Sequence, residues 1–404
     1  MSLAQELDRE LRILHVLNHV RETGNGIVNA TVDLACSQAK LGHQVAVASA
    51  GGDYVALLEE HGVHHFHLDQ QRTVRNLPSM LRNYGRIIET VQPHVVHTHM
   101  MMGVLLAWSY RQYSRIQPRQ LLNLPKLLTN SSSTQASRPY SVAATVHNEF
   151  QRNAILMKLA DQLICVSKAV ADAMHRRGVP ESKLQVVLNG TLKSPRQLPQ
   201  DLSATVTLSE LAIVTVAGMY ERKGMSELIE AFARLSADHP QVNLYLVGDG
   251  PARQSFEQEA QQTSAAARIH FEGFQSNPLA YMRAADIFVL ASHREPCALV
   301  LSEARAAGCA IVASQVDGIP EALDGGQAGL FCEPRNALSL ETALRQLIES
   351  REQRETYQQL AQENLAYFEV GRVAEETLAV YKKMLPASSD DQSHVQSVVF
   401  PAAV

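Results

Sequence analysis

The sequence is short of the features that mark several common classes of protein. Of its 404 residues one is tryptophan and 5% are aromatic, and the formal net charge is −5. A basic excess, which supplies most of the affinity in general nucleic-acid binding, is therefore missing. No apolar run reaches the roughly 20 residues that a membrane-spanning helix needs. These absences favour small-molecule chemistry, with no nucleic acid among the partners and no segment that crosses a bilayer.

Cysteine is also scarce, and the charged start of the chain lacks the apolar core of a signal sequence. The short apolar run at 13–17 is instead typical of a first strand. An odd number of cysteines without a C-x-x-C pair indicates neither a disulfide framework nor a zinc ribbon. We therefore expect a cytoplasmic protein. The cysteines are Cys36, Cys165, Cys297, Cys309 and Cys332.

What the sequence does contain is an ordinary globular balance, with 46% hydrophobic and 19% charged residues. Its length exceeds what one hydrophobic core usually supports, so two domains are expected. Short apolar runs alternate with amphipathic segments of helical length, which predicts parallel sheets covered by helices on both faces. Strands are predicted near 13–17, 44–49, 63–68, 94–98, 142–146, 163–166 and 185–188, and again near 212–217, 243–247, 269–271, 287–291, 310–313 and 329–332.

The predicted fold class is α/β, with two Rossmann-like, doubly wound domains that face a central cleft. Open α/β sheets bind ligands at the carboxyl ends of their strands, so the cleft is expected to hold the chemistry. The stretch 191–209 is rich in Pro, Ser and Gln and predicts the linker. The predicted parts are a first domain at 1–195 with a loop insertion at 110–140, a second domain at 205–365, a terminal helix at 366–385 and a disordered tail at 386–404.

The most informative stretch is 294–308, which follows a predicted strand. A proline near its start and a glycine at its end predict a loop followed by a helix. This places Glu295 in the loop at the end of the strand. It also directs the backbone N–H groups of Leu299 and Val300 from the helix N-terminus toward a bound phosphate. Glu303 lies a little over two turns further on, where a carboxylate can accept both hydroxyl hydrogens of a ribose.

Glu295 and Glu303 reproduce the E-x7-E motif of retaining glycosyltransferases with the GT-B fold, and the stretch resembles the GT4 family. The resemblance implies that Glu295 contacts hydroxyls of the donor sugar and that Glu303 binds the ribose of the nucleotide. It further implies transfer of a hexose-type sugar from a nucleotide-sugar donor with retention, and a C-terminal helix that crosses back to the first domain. The acceptor stays open between a glycan, a lipid-linked molecule and a small molecule, in a setting of cell-envelope polysaccharide or other glycan biosynthesis.

Segment 218–224, Gly-Met-Tyr-Glu-Arg-Lys-Gly, resembles the G-R-x-x-x-x-K-G segment of the same family. Lys223 matches the lysine, and a basic residue here can neutralise the diphosphate of the leaving nucleotide. Met219 stands where the family has arginine. We assign the missing charge to Arg222.

Two segments in the first half also resemble donor-facing parts of the family. Gly24 and Gly26 follow the first predicted strand, where glycines let backbone N–H groups approach a phosphate closely. His147 ends a later strand, at the place where the family has a histidine beside the reacting hexose. Glu295 and His147 are therefore the residues expected at the sugar.

Two other sites are suggested by composition. A group of histidines could bind a metal, but no acidic partner and no D-x-D triplet accompanies them, so metal-independent transfer without a cofactor is expected. A basic surface with interleaved leucines suggests peripheral contact with the inner face of a membrane, although a solvated charged face is the favoured explanation. The histidines are His64, His65, His67, His94, His97 and His99, and the basic residues are Arg72, Arg75, Arg82, Arg86, Arg111, Arg115, Arg119 and Lys126.

Two alternative functions remain. One keeps the fold without the transfer, as a sugar-nucleotide epimerase or an inactive sugar-nucleotide-binding protein, with Met219 marking the lost activity. The other is a nicotinamide-dependent dehydrogenase. The glycine pattern at 24–26 is not the full dinucleotide fingerprint, which counts against the dehydrogenase.

Overall fold

The computed structural model describes residues 10–70, 77–120, 140–150, 152–197 and 204–385. The chain forms two compact units. The main boundary between the units falls after Gln185, where the chain enters the long continuous part of unit 2. The sequence predicted the end of the first domain at residue 195. Unit 1 consists of Met1–Cys165, Met174–Gln185 and Ala374–Val404, and unit 2 of Val166–Ala173 and Val186–Val373.

Unit 1 is built on a seven-stranded sheet. Its strands are β1 (Arg12–Val16), β2 (Gln44–Ser49), β3 (His64–His67), β4 (Val95–Thr98), β5 (Ser141–Val146), β6 (Gln162–Cys165) and β7 (Leu184–Val186). Their order across the sheet is β3-β2-β1-β4-β5-β6-β7, and the neighbours from β3 to β6 pair in parallel. The helices in this part of the chain are α1 (Gly26–Lys40), α2 (Val55–Glu60), α3 (Leu77–Val91), α4 (Met101–Gln120) and α5 (Lys168–Arg176), with 3-10 segments at Arg152–Leu159 and Glu181–Lys183.

The central strands of unit 1 are almost wholly buried. Parallel strands covered on both faces read as near-continuous apolar runs, which is why their positions were readable in the sequence. His15 in β1 and His97 in β4 interrupt these runs, and both are 0% exposed. Buried polar groups need hydrogen-bond partners, so these two histidines mark a polar network inside the sheet.

Unit 2 holds a six-stranded parallel sheet. Its strands are β8 (Ala212–Val216), β9 (Asn243–Val247), β10 (Ile269–Gly273), β11 (Ile287–Leu290), β12 (Ala310–Ser314) and β13 (Leu330–Cys332), in the order β10-β9-β8-β11-β12-β13. The helices are α6 (Met225–Leu235), α7 (Arg253–Gln261), α8 (Pro278–Ala284), α9 (Leu299–Ala307), α10 (Ile319–Ala322), α11 (Ala337–Glu349), α12 (Arg351–Ala361) and α13 (Val370–Met384), with 3-10 segments at Glu221–Lys223, Ala266–Arg268, Asp324–Gly326 and Leu365–Phe368. Helix α13 begins in unit 2 and belongs to unit 1 from Ala374 onward.

A buried arginine anchors helix α9 in unit 2. Arg305 is 0% exposed, and its guanidinium donates to the carbonyl oxygens of Ala322 and Ala361 at 2.8 Å each. It also pairs with Asp324 at 2.7 Å and lies 4.8 Å from the ring centre of Phe368. Because a buried charge is tolerated only when it is paired and hydrogen-bonded, these contacts fix the helix in one position.

All thirteen predicted strands are confirmed, and so is the two-domain α/β fold. The 110–140 insertion differs from the prediction. Helix α4 continues through Gln120, and within it Arg111 pairs with Asp161 and Tyr110 packs edge-on against Tyr84. The terminal helix predicted at 366–385 begins at Val370, after a 3-10 segment at Leu365–Phe368. Residues 121–139 and the tail at 386–404 lie outside the described residues.

The surface suggested for membrane contact is only partly described. Arg82 and Arg86 are exposed on α3, whereas Arg111 is bound to Asp161. The side chains of the other five basic residues lie outside the described part of the chain. Over the described ranges, no helix combines the length and the apolar character required to span a bilayer.

Candidate active site

The predicted site residues fall into two groups, one in each unit. Gly24, Gly26 and His147 lie in unit 1. The other group lies in unit 2 and consists of Arg222, Lys223, Glu295, Leu299, Val300 and Glu303.

The position of Lys223 depends on the glycine that follows it. Residues 221–223 form a single 3-10 turn, and Gly224 leaves it with a φ of 68°, in the left-handed region. A Cβ at Gly224 would lie 1.9 Å from the carbonyl oxygen of Ala291, just beyond β11. Only glycine fits this contact, so the loop carrying Lys223 is held tightly against the end of β11.

Lys223 and Glu295 form a nearly buried ion pair. Lys223 Nζ donates to Glu295 Oε2, and the side chains are 13% and 9% exposed. Ser292 Oγ donates to the same oxygen at 3.2 Å. Among the residues that the structure describes, Oε1 of Glu295 has no hydrogen-bond partner. The pair therefore offers one carboxylate oxygen to an incoming hydroxyl and one ammonium group to an incoming anion.

The loop that carries Glu295 is fixed by Asp317, a residue that the sequence did not single out. Asp317 Oδ2 accepts from the Glu295 backbone N–H at 2.8 Å and from Arg294 Nε at 3.0 Å. Gly318 N–H donates to the Glu295 carbonyl at 3.0 Å. Asp317 has a φ of 44°, a region that aspartate and asparagine tolerate better than most residues.

Helix α9 begins where the sequence predicted, and it carries Leu299, Val300 and Glu303. No side chain caps its N-terminus. The Leu299 N–H donates to the Cys297 carbonyl at 3.1 Å, which makes Val300 the better placed of the two proposed phosphate donors. Glu303 is partly exposed in the middle of the helix.

The basic residue assigned in place of the family arginine lies beside the same loop. Arg222 is exposed, donates to the Arg294 carbonyl at 3.3 Å and lies 5.9 Å from the ring centre of Tyr220. Met219 is 0% exposed and packs in the hydrophobic core of unit 2. A charged side chain at 219 would therefore be buried away from solvent, whereas the exposed Arg222 contacts the loop that carries Glu295 through the Arg294 carbonyl.

In unit 1 the glycines lie at the start of helix α1. Gly24 has a φ of 66°, and Gly26 is the first helical residue. Between them Asn25 caps the helix, because its side-chain oxygen accepts from the Ile27 N–H at 3.0 Å. The turn thus places a helix N-terminus after β1, as the sequence predicted.

His147 follows β5 and joins a group of buried histidines. His147 Nε2 lies 3.2 Å from His99 Nδ1, and His99 Nε2 lies 3.0 Å from His15 Nδ1. Burial lowers the pKa of His147 and of His15 from 6.5 to about 4. Burial, followed by the neighbouring histidines His97 and His15, lowers the pKa of His99 well below its usual value. All three imidazoles are therefore neutral at pH 7.

Three of these histidines are also close enough to share a metal ion. Ligand atoms of His15, His97 and His99 lie within 4.8 Å of one another. Each of their six ring nitrogens already has a protein partner within 3.2 Å. An ion would have to replace several of these hydrogen bonds. Of the six histidines considered from the sequence, His97 and His99 belong to this group, while His94 and His65 bond Arg12 and Ser49 separately.

Comparisons with known proteins bear on both units. The profile described as "Glycosyl transferases group 1" matches residues 205–364, and that described as "Glycosyltransferase Family 4" matches residues 24–191. The chain belongs to the GT4-like glycosyltransferases. Both profiles of the family are thus present, one on each half of the chain.

Curated relatives of this GT4-like chain act on different glycans. LpsE, a lipopolysaccharide core biosynthesis glycosyltransferase of Rhizobium meliloti, is 29% identical over 189 residues, 46% of this chain and 54% of the relative. The glycogen synthase of Mycobacterium tuberculosis is 26% identical over 303 residues, 72% of this chain and 69% of the relative. The match thus spans about half the length of LpsE.

Solved structures confirm the GT-B fold of this GT4-like chain. HepE of Anabaena, in complex with UDP and glucose, has a TM-score of 0.72 at 19% identity. The comparison covers 92% of this chain and 99% of HepE.

Proposed function

We propose that the protein is a retaining glycosyltransferase that takes a hexose-type sugar from a nucleotide-sugar donor without a bound metal. The observation that carries the proposal is the nearly buried pair of Lys223 and Glu295. A transferase must hold a sugar and stabilise the negative charge that develops on the leaving diphosphate, and this pair presents a group for each task. HepE, which shares the fold, was solved in complex with UDP and glucose.

Each residue of the proposed site has one task. Lys223 and Arg222 neutralise the diphosphate, together with the N–H groups of Leu299 and Val300 at the start of α9. Glu303 accepts from the ribose hydroxyls. Glu295 accepts from sugar hydroxyls through Oε1.

In unit 1, Gly24 and Gly26 admit a phosphate near the start of α1, and His147 bonds the sugar. Retention follows from a front-face displacement, in which the leaving diphosphate takes the proton of the acceptor hydroxyl as the new glycosidic bond forms. A cell-envelope glycan is the proposed acceptor class, supported by the name of LpsE.

Donor binding can be measured without knowing the acceptor. We expect one of UDP, GDP or ADP, with its sugar conjugates, to raise the melting temperature, because a ligand at about 100 times its Kd stabilises by about 2.7 kcal/mol. The shift should survive EDTA and disappear in Glu303→Gln. Glu355→Gln, an exposed carboxylate on α12, serves as the matched control.

The outcomes separate the parts of the proposal. No response to any nucleotide would refute the donor site, and a response abolished by EDTA would refute metal independence. Binding without any release of sugar to water or acceptor would favour the inactive binding protein, in which Met219 marks the lost activity. The anomeric configuration of the released sugar, followed by proton NMR before mutarotation, tests retention.

Asp317 offers a test of how Glu295 is positioned. We expect Asp317→Ala to lower kcat/KM for the donor by about tenfold, because the Glu295 N–H loses a charged acceptor and alanine is strained at this φ. Asp317→Asn keeps an acceptor and tolerates the left-handed region, so its kcat/KM should fall much less. Equal losses in steady-state assays of the two variants would contradict the positioning role.

A further inference from the structure

A continuous line of hydrogen bonds leads from helix α1 to His147. Gln38 Oε1 lies 2.8 Å from His15 Nε2, and His15 Nδ1 lies 3.0 Å from His99 Nε2. His99 Nδ1 then lies 3.2 Å from His147 Nε2. Gln38 and His15 are 0% exposed and His99 is 3% exposed, so water does not compete for the two bonds that join these three residues, whereas the bond to His147 is partly buried. We call these four residues the histidine relay.

The chemistry of its first member gives the relay a direction. A neutral imidazole has one N–H donor and one acceptor nitrogen, and an amide oxygen can only accept. His15 therefore donates from Nε2 to Gln38 and accepts at Nδ1 from the Nε2–H of His99. His99 in turn accepts at Nδ1 from the Nε2–H of His147. The Nδ1 of His147 keeps its lone pair, and it has no hydrogen-bond partner among the residues described.

We propose that Gln38, acting through His15 and His99, holds His147 as the Nε2–H tautomer, so that Nδ1 presents a hydrogen-bond acceptor to a hydroxyl of the donor sugar. Gln38, His15 and His99 are then positioning residues for a contact that His147 makes itself. The contact with the sugar rests on the proposed function, whereas the tautomer does not. A site built to accept from one hydroxyl also discriminates against a sugar that lacks it, because the acceptor would be left unpaired.

A second branch leads from Gln38 to Thr145 and takes its direction from the same amide. The Gln38 amide nitrogen faces the Tyr381 hydroxyl at 3.5 Å, and that hydroxyl lies 2.5 Å from His97 Nδ1. His97 Nε2 lies 2.7 Å from Thr145 Oγ1. With the amide oxygen on His15 and the amide nitrogen on Tyr381, the Tyr381 hydroxyl donates to His97 Nδ1 and the His97 Nε2–H donates to Thr145 Oγ1. An inverted amide would reverse both branches and give His147 an outward N–H instead.

The tautomer can be read by NMR on the whole protein labelled with ¹⁵N-histidine. At neutral pH we expect the Nε2 of His147 to carry the proton, and Nδ1 to show the shift of an unprotonated ring nitrogen. Couplings between ¹⁵N nuclei across the hydrogen bonds should link His147 to His99 and His99 to His15. A spectrum of His147→Gln assigns the signals. A proton on Nδ1 of His147, or ring shifts that respond to added Zn²⁺, would overturn the proposal.

Substitutions at Gln38 test directly whether this residue sets the tautomer of His147. Gln38→Leu removes the acceptor and leaves a buried His15 N–H unpaired, so the reversed relay and the Nδ1–H form of His147 should become populated. Gln38→Glu keeps an acceptor and should retain the original tautomer. An unchanged tautomer in Gln38→Leu would overturn the proposal, because the intrinsic preference of imidazole would then suffice.

His97→Asn is the matched control, since it alters an equally buried histidine on the branch that does not reach His147. It should leave the signals of His147 unchanged, because asparagine keeps an acceptor near Tyr381.

Kinetics supply the second measurement. We expect kcat/KM for the donor to fall about tenfold in Gln38→Leu, the cost of about one hydrogen bond, and to be largely restored in Gln38→Glu. A fall of the same size in both variants would overturn the positioning role. If no variant and no wild-type protein turns over any donor while the tautomer still responds to Gln38, the proposed function fails and the relay stands.

Discussion

Replacing Lys223 by methionine should lower kcat for sugar transfer by about a thousandfold. Methionine keeps the length of the side chain and removes the charge, so the diphosphate leaves without its cation. Deleting one preorganised group that stabilises developing charge typically costs a factor of a hundred to a thousand, about 3 to 4 kcal/mol. Transfer or donor hydrolysis at saturating donor measures the loss.

A fall in kcat must be separated from damage to the fold. Lys223→Met leaves the buried carboxylate of Glu295 without its cation, which can destabilise unit 2 by itself. The double variant with Glu295→Gln removes that unpaired charge and should recover the melting temperature without recovering activity. Lys193→Met, which alters a lysine 74% exposed in the same unit, is the matched control. A less than tenfold fall in kcat in a folded Lys223→Met protein would remove Lys223 from the proposed chemistry.

Acid should destabilise unit 1 at a pH above the range in which most carboxylates titrate. Above pH 6.5 the buried imidazoles are neutral in both the folded and the unfolded chain, and the stability of the unit is complete. Below that pH, His15 binds a proton in the unfolded chain but not in the folded one, because burial lowers its pKa from 6.5 to about 4. Stability is therefore lost as the pH falls from 6.5 toward 4. His15 alone costs about 2 kcal/mol by pH 5, and His97, His99 and His147 add to it in the same direction.

The acid effect can be measured on unit 1 separately, because the one tryptophan, Trp108, lies in it. Urea unfolding followed by its fluorescence at pH 7 and pH 5 gives the change in the free energy of unfolding. His15→Gln cannot take up the proton, so its loss between the two pH values should be about 2 kcal/mol smaller than that of the wild type. His67→Gln, at an exposed edge position, should behave as the wild type. Equal losses of unfolding free energy in His15→Gln and the wild type would show that burial does not lower the pKa of His15.

The strands and the loops at their ends were predictable because the physics that sets them is local. A strand buried between two layers of helices must be apolar along its whole length, and a glycine or proline at its end marks the turn. Glu295 was accordingly placed in a loop at a strand end, and the structure brings it into contact with Lys223. Their assignment to the sugar and the diphosphate came from the family resemblance.

The contacts that position these residues could not be predicted, because they depend on the register between distant strands. The pairing of β1 with β4 sets His15 opposite His97, and no local pattern fixes that pairing. Asp317 likewise reaches Glu295 only because the loops after β11 and β12 lie side by side. One signal was present in the sequence. A histidine inside an otherwise apolar parallel strand, as in β1 and β4, indicates a buried polar partner.

The division of helix α13 between the units affects how the protein is made. Tyr381 and His97 both belong to unit 1 and contact each other. In the sequence, nearly all of unit 2 lies between them. A ribosome working from the amino end must therefore synthesise unit 2 before the last helix of unit 1 is available. Unit 1 completes its fold only after the residues from Ala374 onward have been synthesised, and until then part of the surface of the nascent sheet stays uncovered. Binding of chaperones to stalled chains should accordingly fall once Tyr381 has left the exit tunnel.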